Sequence, residues 1–134
     1  MLELRAQNLG EIVVLCLRGR IVIGDTDILR RVITELPGES VLVLDLRRVS
    51  EIDAHGLGVL LELREQLQSK GTELRLMNVT NLVGQVLEIT KLDTVFQLTT
   101  EAETAARARP QRREPGELVL GPGDWGLPPT SEPQ

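Results

Sequence analysis

Residues 41–63, VLVLDLRRVSEIDAHGLGVLLEL, pass from an apolar run through a polar segment into a leucine-rich run. The first part, VLVLDL, is apolar at four successive positions, which is typical of a central β-strand flanked by other strands. The leucine-rich part has its leucines on one helical stripe and continues to Lys70 and then Gly71, a residue pair that favours a helix end. The stretch therefore predicts a buried strand, a short loop and a helix that starts at or just after Asp53.

Strand-like and helix-like patterns alternate on both sides of this stretch. Upstream, EIVVLCLRG (11–19) predicts a strand, and DTDILRRVITELPG (25–38) predicts an amphipathic helix with Asp25 as a candidate N-cap. Downstream, TELRLMNV (72–79) predicts a strand, TNLVGQVLEIT (80–90) a third helix, and TVFQL (94–98) a short closing strand. The apolar stripe of the third helix is predicted to contain Leu82, Val83, Val86 and Leu87. This order predicts an α/β fold whose sheet contains parallel pairs.

Composition limits the functions that this chain of 134 residues can have. One Phe, one Trp and no Tyr leave few aromatic platforms for nucleic-acid bases, and the net charge of -5 disfavours binding to a phosphate backbone. The single cysteine, Cys16, excludes an internal disulfide and a cysteine metal cluster. No signal peptide and no apolar run of membrane-spanning length is recognisable. We therefore expect a cytoplasmic protein that binds no nucleic acid and does not insert into a membrane.

The composition changes near residue 100. Residues 101–134 hold almost all of the prolines and little periodic apolar content, which predicts a folded domain over residues 1–100 and a Pro-rich, disordered C-terminal tail over residues 101–134. Within the tail, ELVL (117–120) and Trp125 form an isolated apolar island. Docking of this island on another surface is the alternative interpretation.

The turn that follows the central strand contains candidate functional residues. Asp53 can accept a hydrogen bond from the backbone N–H of residue 55 or 56, which makes it either a simple helix N-cap or part of a functional site. Gly56 and Gly58 lack a Cβ, so another backbone can approach the helix closely, at some cost in helix propensity. That backbone belongs either to the neighbouring strand or to a partner.

Enzymatic and metal chemistry have weak support. Ser50, Asp53 and His55 are three residue types of a catalytic triad, but adjacent side chains in a short loop rarely form one hydrogen-bonded relay. One histidine together with Asp45 and Asp53 is too small a ligand set for a metal ion. The segment GRIVIG (19–24) lacks the Lys-Ser/Thr pair of a phosphate-binding loop. We expect no enzymatic activity, no cofactor and no metal.

Nearly all of residues 1–100, and most clearly the region from VLVLDL to TVFQL (41–98), resembles the STAS domain of bacterial anti-sigma factor antagonists. The resemblance rests on the Asp45-Leu46 strand end, on the Asp53-x-x-Gly56-Leu57 turn, and on LEITKLDTVFQL (87–98). It implies a STAS fold, with a four- to five-stranded mixed sheet and helices packed on one face. It also implies a regulatory protein that binds an anti-sigma factor, a serine kinase of the histidine-kinase-like ATPase type, and so affects transcription that depends on a sigma factor. The partner-binding residues implied are Asp25, Asp53, Ala54, His55, Gly56 and Leu57.

The departure from the family pattern lies in the same turn. The family turn usually reads Asp-Ser-Ser-Gly or Asp-Ser-Thr-Gly, and its second hydroxyl accepts a phosphoryl group, whereas residues 53–56 here read Asp-Ala-His-Gly. His55 occupies the phosphoacceptor-equivalent position and has no hydroxyl, so the resemblance implies that the phosphorylation switch is absent. His55 is either a pH-responsive group or a solvated histidine. Two other functions remain open: the STAS subunit of a lipid-type ABC transporter, and a scaffold domain in a signalling assembly.

Overall fold

The computed structural model describes residues 1–36 and 40–107. Its elements are β1 (Glu3–Asn8), β2 (Ile12–Ile21), α1 (Asp27–Glu35), β3 (Val41–Ile52), α2 (Ala54–Ser69), β4 (Glu73–Met77), α3 (Asn81–Ile89), β5 (Gln97–Thr99) and α4 (Glu101–Arg107). The five strands form one sheet in the order β1-β2-β3-β4-β5. β1 is antiparallel to β2, and the other neighbouring pairs are parallel. The predicted α/β fold with a mixed sheet is confirmed, and β3 is its central strand.

The main core lies between the sheet and the helices α1 to α3. Alternate residues of β2 and β3, among them Leu15, Leu42 and Leu44, point into this core and are fully buried. The residues between them, such as Val14 and Val43, belong to a smaller apolar cluster on the opposite face of the sheet. Because both faces of the central strands are buried, these strands are continuously apolar and do not alternate with polar residues.

β3 extends beyond VLVLDL through residues 47–52, where the sequence pattern predicts a loop, so that prediction is wrong. The pairing of β2 with β3 shifts register between Cys16 and Arg18, and again between Gly19 and Arg20. Each shift adds one residue to β3, which is the geometry of a β-bulge. The period-2 pattern that identifies a strand is consequently lost. From Leu46 onwards, the buried residues of β3 are Leu46, Val49 and Ile52, at a spacing of three.

Two further elements do not follow from the sequence pattern. β1 contains a single fully buried residue, Leu4, so six residues give too little alternation to predict a strand. α4 lies beyond the composition change at residue 100, and Thr104 within it is 6% exposed and donates a hydrogen bond to the Met77 sulfur at 3.5 Å. The folded part of the chain therefore extends past residue 100. ELVL (117–120) and Trp125 lie outside the described residues.

The helix boundaries correct two sequence predictions. The N-cap of α1 is Thr26 and not Asp25, which lies in the preceding turn, where its N–H donates to the Val22 carbonyl at 2.9 Å. In α3, Leu82 is 48% exposed, whereas its neighbour Val83 is buried. Leu82 therefore lies outside the buried stripe of α3, and its predicted place in that stripe is wrong.

The predicted ends of α2 are confirmed. Asp53 is its N-cap, and Lys70 its C-cap. Gly71, just beyond the helix, has a φ of 86°, a conformation that glycine adopts without strain. None of the helices in the described ranges has the length and apolar character needed to cross a lipid bilayer.

Candidate functional site

The Asp53 carboxylate joins three segments at the end of β3. Oδ1 accepts the N–H of Gly56 at 2.8 Å and so caps α2. Oδ2 accepts the N–H of Ile23 at 3.0 Å, and Ile23 belongs to the loop between β2 and α1. The Asp53 N–H itself donates to the Ile21 carbonyl at 3.3 Å. One side chain therefore starts α2 and holds the β2–α1 loop against it.

The same bonds stabilise the negative charge of Asp53. The N–H groups of Gly56 and, to a lesser degree, of Ile23 hold the pKa of Asp53 below its ordinary value, against the opposing effect of lost hydration. The nearby charge of His55 lowers this pKa further. The carboxylate is therefore ionised at neutral pH and acts as a fixed acceptor.

His55 makes a second connection between the two helices. It lies exposed in the first turn of α2, and its Nε2 is 3.3 Å from the hydroxyl of Thr26. Thr26 is 2% exposed and is the N-cap of α1, yet its side chain makes no capping hydrogen bond. The only imidazole in the chain therefore connects the start of α2 to the start of α1, rather than projecting freely into solvent.

Close packing against β2 explains why Gly56, a residue of low helix propensity, lies in the first turn of α2. A Cβ added at Gly56 would lie 1.9 Å from the carbonyl oxygen of Ile21, so a side chain does not fit between α2 and β2. A Cβ added at Gly58 would meet no atom within 4 Å. The predicted close approach is confirmed for Gly56, where the neighbour is a strand. At Gly58 no described residue of this chain approaches the helix, so contact with a partner there stays a prediction.

The structure divides the predicted partner-binding residues into two groups. Ala54 and His55 are exposed, whereas Gly56 is buried and Leu57 is 5% exposed within the main core. Leu57 therefore contributes to core packing, and little of its side chain is exposed to a partner. Asp25 is half-buried in the β2–α1 loop.

One exposed residue of this region was missed in the sequence. Ile23 is 67% exposed, although its N–H is bonded to Asp53. Its only sequence signal is an apolar residue placed just after a strand, in a stretch that otherwise turns polar. We define the His55 surface as the exposed group formed by Ile23, Gly24, Ala54 and His55, with Asp25 at its edge.

The side chains that resemble a catalytic triad do not form a relay. Ser50 donates to the Gly19 carbonyl at 3.3 Å, Asp53 accepts from two backbone N–H groups, and His55 contacts Thr26. Within residues 1–36 and 40–107, no three His, Cys, Asp or Glu side chains are grouped so that they could hold a metal ion. What this region offers a ligand is a contact surface held in place by backbone hydrogen bonds.

Comparison with known proteins gives one family match and several similar folds. The STAS domain family model matches residues 3–105. An anti-sigma factor antagonist from Mycobacterium paratuberculosis has 21% sequence identity and a TM-score of 0.70, over 82% of this chain and 96% of that chain. For the anti-sigma factor antagonist SpoIIAA in its unphosphorylated form, the identity is 20% and the TM-score 0.64, over 78% of this chain and 94% of that chain; SpoIIAA from Bacillus has also been solved in a phosphorylated form. A sulfate transporter family protein from Wolinella succinogenes has 24% identity and a TM-score of 0.63, over 72% of this chain and 83% of that chain.

Proposed function

The chain belongs to the STAS domain family, and we propose that it is an anti-sigma factor antagonist that binds its partner through the His55 surface. The observation that carries this proposal is the double role of Asp53, which caps α2 and holds the β2–α1 loop beside it. The similar folds of two anti-sigma factor antagonists support it. The proposed partner is an anti-sigma factor with a serine kinase domain of the histidine-kinase-like ATPase type.

The composition of the His55 surface suits protein recognition. Ile23 offers an apolar side chain that is 67% exposed, its loop also carries the half-buried Asp25, and the turn bonded to that loop carries the exposed His55. An apolar contact surrounded by polar groups is the usual arrangement of a protein interface. Since Asp53 and Thr26 already hold the loop and the helix together, little conformational entropy is lost on binding.

The residue at position 55 bears on regulation. In the family pattern, phosphorylation at this position adds nearly two negative charges to the contact surface and weakens binding. His55 has no hydroxyl, the Thr26 hydroxyl is 2% exposed, and Ser50 lies on β3 with its hydroxyl bonded to Gly19. We therefore propose that this antagonist stays competent to bind in the presence of its partner's kinase activity.

Calorimetric titration with the cognate anti-sigma factor tests the binding surface. Replacing Ile23 by alanine is expected to weaken binding by about 10-fold or more, because burying such a side chain contributes roughly 1.5–3 kcal/mol. Ile89→Ala is the matched control, since Ile89 is 78% exposed on α3, away from the His55 surface. Equal affinity of the Ile23→Ala and Ile89→Ala variants would rule out this surface.

Phosphorylation with labelled ATP and the cognate kinase, followed by peptide mapping, tests the regulatory proposal. We expect no label on the wild-type protein and label at position 55 of the His55→Ser variant. His55→Ala is the control, because it also loses the Thr26 contact but provides no hydroxyl. Label on wild-type His55 or Ser50 would contradict the proposal, because phosphorylation would then occur without the family's hydroxyl.

The fold of the Wolinella succinogenes protein supports a second candidate, a STAS module that acts together with a transporter. Affinity capture from the native host, followed by mass spectrometry, distinguishes the two functions. Recovery of a permease and its ATPase would favour the transporter function. Recovery of an anti-sigma factor would favour the antagonist.

A further inference from the structure

A basic cavity lies on the face of the sheet opposite α1 to α3. Its volume is about 800 Å³, which is within the range of small-molecule binding sites. Residues of β1, β2 and β3 line it, and the charged ones are Glu3, Arg5, Arg18, Asp45, Arg47 and Arg48. Four arginines against two carboxylates give the cavity an excess of positive charge, although the chain as a whole has a net charge of -5.

A β-bulge brings two adjacent arginines to this cavity. In a regular strand, neighbouring side chains point to opposite faces, so either Arg47 or Arg48 would point towards the main core. The pairing of β2 with β3 shifts register between Cys16 and Arg18, and beyond the shift Arg18 pairs with Arg48. As a result, Arg47 and Arg48 are both exposed, and both line the cavity.

Arg5 and Arg48 carry charges that are not neutralised within the described part of the protein. Neither makes an ion pair with residues 1–36 or 40–107. Asp45 accepts hydrogen bonds from the Asn78 amide and the Arg47 N–H instead. Arg5 lies on β1 and Arg48 on β3, the two strands that flank β2, so their backbones are roughly 10 Å apart across the sheet. A guanidinium group binds a phosphoryl or carboxylate group through two parallel hydrogen bonds, so this pair favours a ligand with more than one such group.

The paired arginines of the cavity are also accessible to a ligand. Arg18 and Glu3 are 3.8 Å apart, and each side chain is about two-thirds exposed, so water screens this ion pair strongly. Arg47 pairs with Glu101, and both of these side chains are more than half exposed. An anion in the cavity can therefore bind either guanidinium group without breaking a buried ion pair.

The uncharged residues of the cavity restrict the kind of anion that fits. None of the described residues that line it is aromatic, and Phe96 is buried in the main core, so a nucleobase has no ring on which to stack. Cys16 also lines the cavity. Burial, with a further contribution from the charge and hydrogen bond of Asp45, raises the pKa of the Cys16 thiol to about 11. The thiol is therefore neutral at physiological pH and does not repel an anion.

We propose that this cavity binds a small, non-aromatic anion with at least two phosphoryl or carboxylate groups, which Arg5 and Arg48 hold from the two sides of β2. None of the lining residues belongs to the His55 surface, which is formed by the first turn of α2 and the β2–α1 loop. The site is therefore independent of the proposed function.

Isothermal titration calorimetry with pyrophosphate and with citrate, at constant ionic strength, tests whether the cavity binds such an anion. Pyrophosphate has two phosphoryl groups and citrate three carboxylates, so the tighter ligand identifies the preferred group. We expect a dissociation constant below about 1 mM for at least one of them, and weaker binding of orthophosphate, which has a single group. ADP is expected to bind no more tightly than pyrophosphate. Failure of both probes to bind, or tighter binding of ADP, would overturn the proposal.

Arginine variants test the residues that hold the anion. Arg5→Gln and Arg48→Gln each remove one unpaired charge, and each is expected to weaken binding by about 10-fold, as when a hydrogen bond to a charged group is lost. Arg31→Gln is the matched control, because it removes a charge from the exposed side of α1, and it is expected to bind like the wild type. The same affinity in all three variants would assign the anion to another part of the surface and overturn the proposal.

The single cysteine of the chain, Cys16, reports on the location of the anion. The rate of its alkylation by iodoacetamide at mildly alkaline pH is measured by mass spectrometry, with and without the tighter of the two probes. We expect the probe to slow alkylation several-fold in the wild type and in Arg31→Gln, and to have little effect at the same concentration in Arg5→Gln. If a probe that binds leaves the alkylation rate of the wild type unchanged, it binds outside the cavity and the proposal is wrong.

Discussion

The two aspartates of the β3 region hold their surroundings in different ways. Asp53, at the end of the strand, accepts hydrogen bonds from the backbone N–H groups of Gly56 and Ile23. Asp45, in the middle of the strand on the sheet face opposite α1 to α3, accepts from one backbone N–H, that of Arg47, and from the Asn78 side-chain amide, each at 3.0 Å. Backbone donors are fixed by the fold, so Asp53 gives a rigid junction that can carry an exposed surface. The side chains around Asp45 come from Cys16 of β2 and from Asn78, which follows β4 and is itself bonded to Glu101 of α4. The hydrogen bonds of Asp45 therefore depend on residues far away in the chain.

The largest difference between these regions should appear when methyl groups are added beside Asp53. Gly56→Ala is expected to destabilise the protein by roughly 3 kcal/mol, because the new Cβ overlaps the Ile21 carbonyl and α2 must move. Gly58→Ala is its control in the same helix and is expected to be neutral or to stabilise by about 0.5–1 kcal/mol, since it raises helix propensity in open space. Urea unfolding followed by circular dichroism measures both. Similar stabilities of the two variants would show that the junction is not rigid.

The region around Asp45 is tested by two truncations. Ending the chain after Arg107 leaves α4 in place, whereas ending it after Thr100 also removes the contacts of Thr104 and Glu101 with Met77, Arg47 and Asn78. The shorter protein is expected to be less stable than the longer one by roughly 2 kcal/mol, about the contribution of one buried methionine. Thermal unfolding monitored by calorimetry gives the difference. If the two proteins melt together, α4 adds nothing to the stability of the smaller apolar cluster.

The smallest expected effect concerns the reactivity of Cys16, whose sulfur lies 3.8 Å from Asp45 Oδ2. Burial, with a further contribution from the charge and hydrogen bond of Asp45, raises the pKa of the Cys16 thiol to about 11. The thiol therefore stays protonated and reacts slowly with iodoacetamide up to about pH 9. Asp45→Asn is expected to lower this pKa and speed up alkylation, as measured by mass spectrometry across a pH series. An unchanged pH profile would mean that burial alone suppresses the reactivity.

Much of the fold was predictable because its signals are periodic. The leucine stripes of α2, the apolar run of β3 and the glycine after Lys70 each depend on residues a few positions apart. Elements without such a signal were missed. β1 has a single fully buried residue, and the two bulges replace the alternation of β3 by a spacing of three. α4 follows a change in composition that suggests the end of the domain.

The candidate site, like the fold, was predictable only where its contacts join residues close together in the sequence. The capping bond between Asp53 and Gly56 joins residues three positions apart, and the sequence was enough to expect it. The burial of Leu57 follows from its place on the leucine stripe of α2. The exposure of Ile23 was not expected, because it depends on how the loop after β2 packs against α2.

The sequence by itself determined the order of strands and helices in the middle of the chain, the start and end of α2, and the absence of a hydroxyl at position 55. These properties follow from covalent chemistry, from local hydrogen bonds and from hydrophobic periodicity. Only the tertiary structure decided that His55 meets Thr26, that Gly56 faces Ile21, and that four arginines share one cavity. The first two contacts join residues about 30 or more positions apart, and the arginines, Arg5, Arg18, Arg47 and Arg48, come from three different strands. Their geometry depends on strand register and helix packing, which a residue's sequence neighbours do not specify.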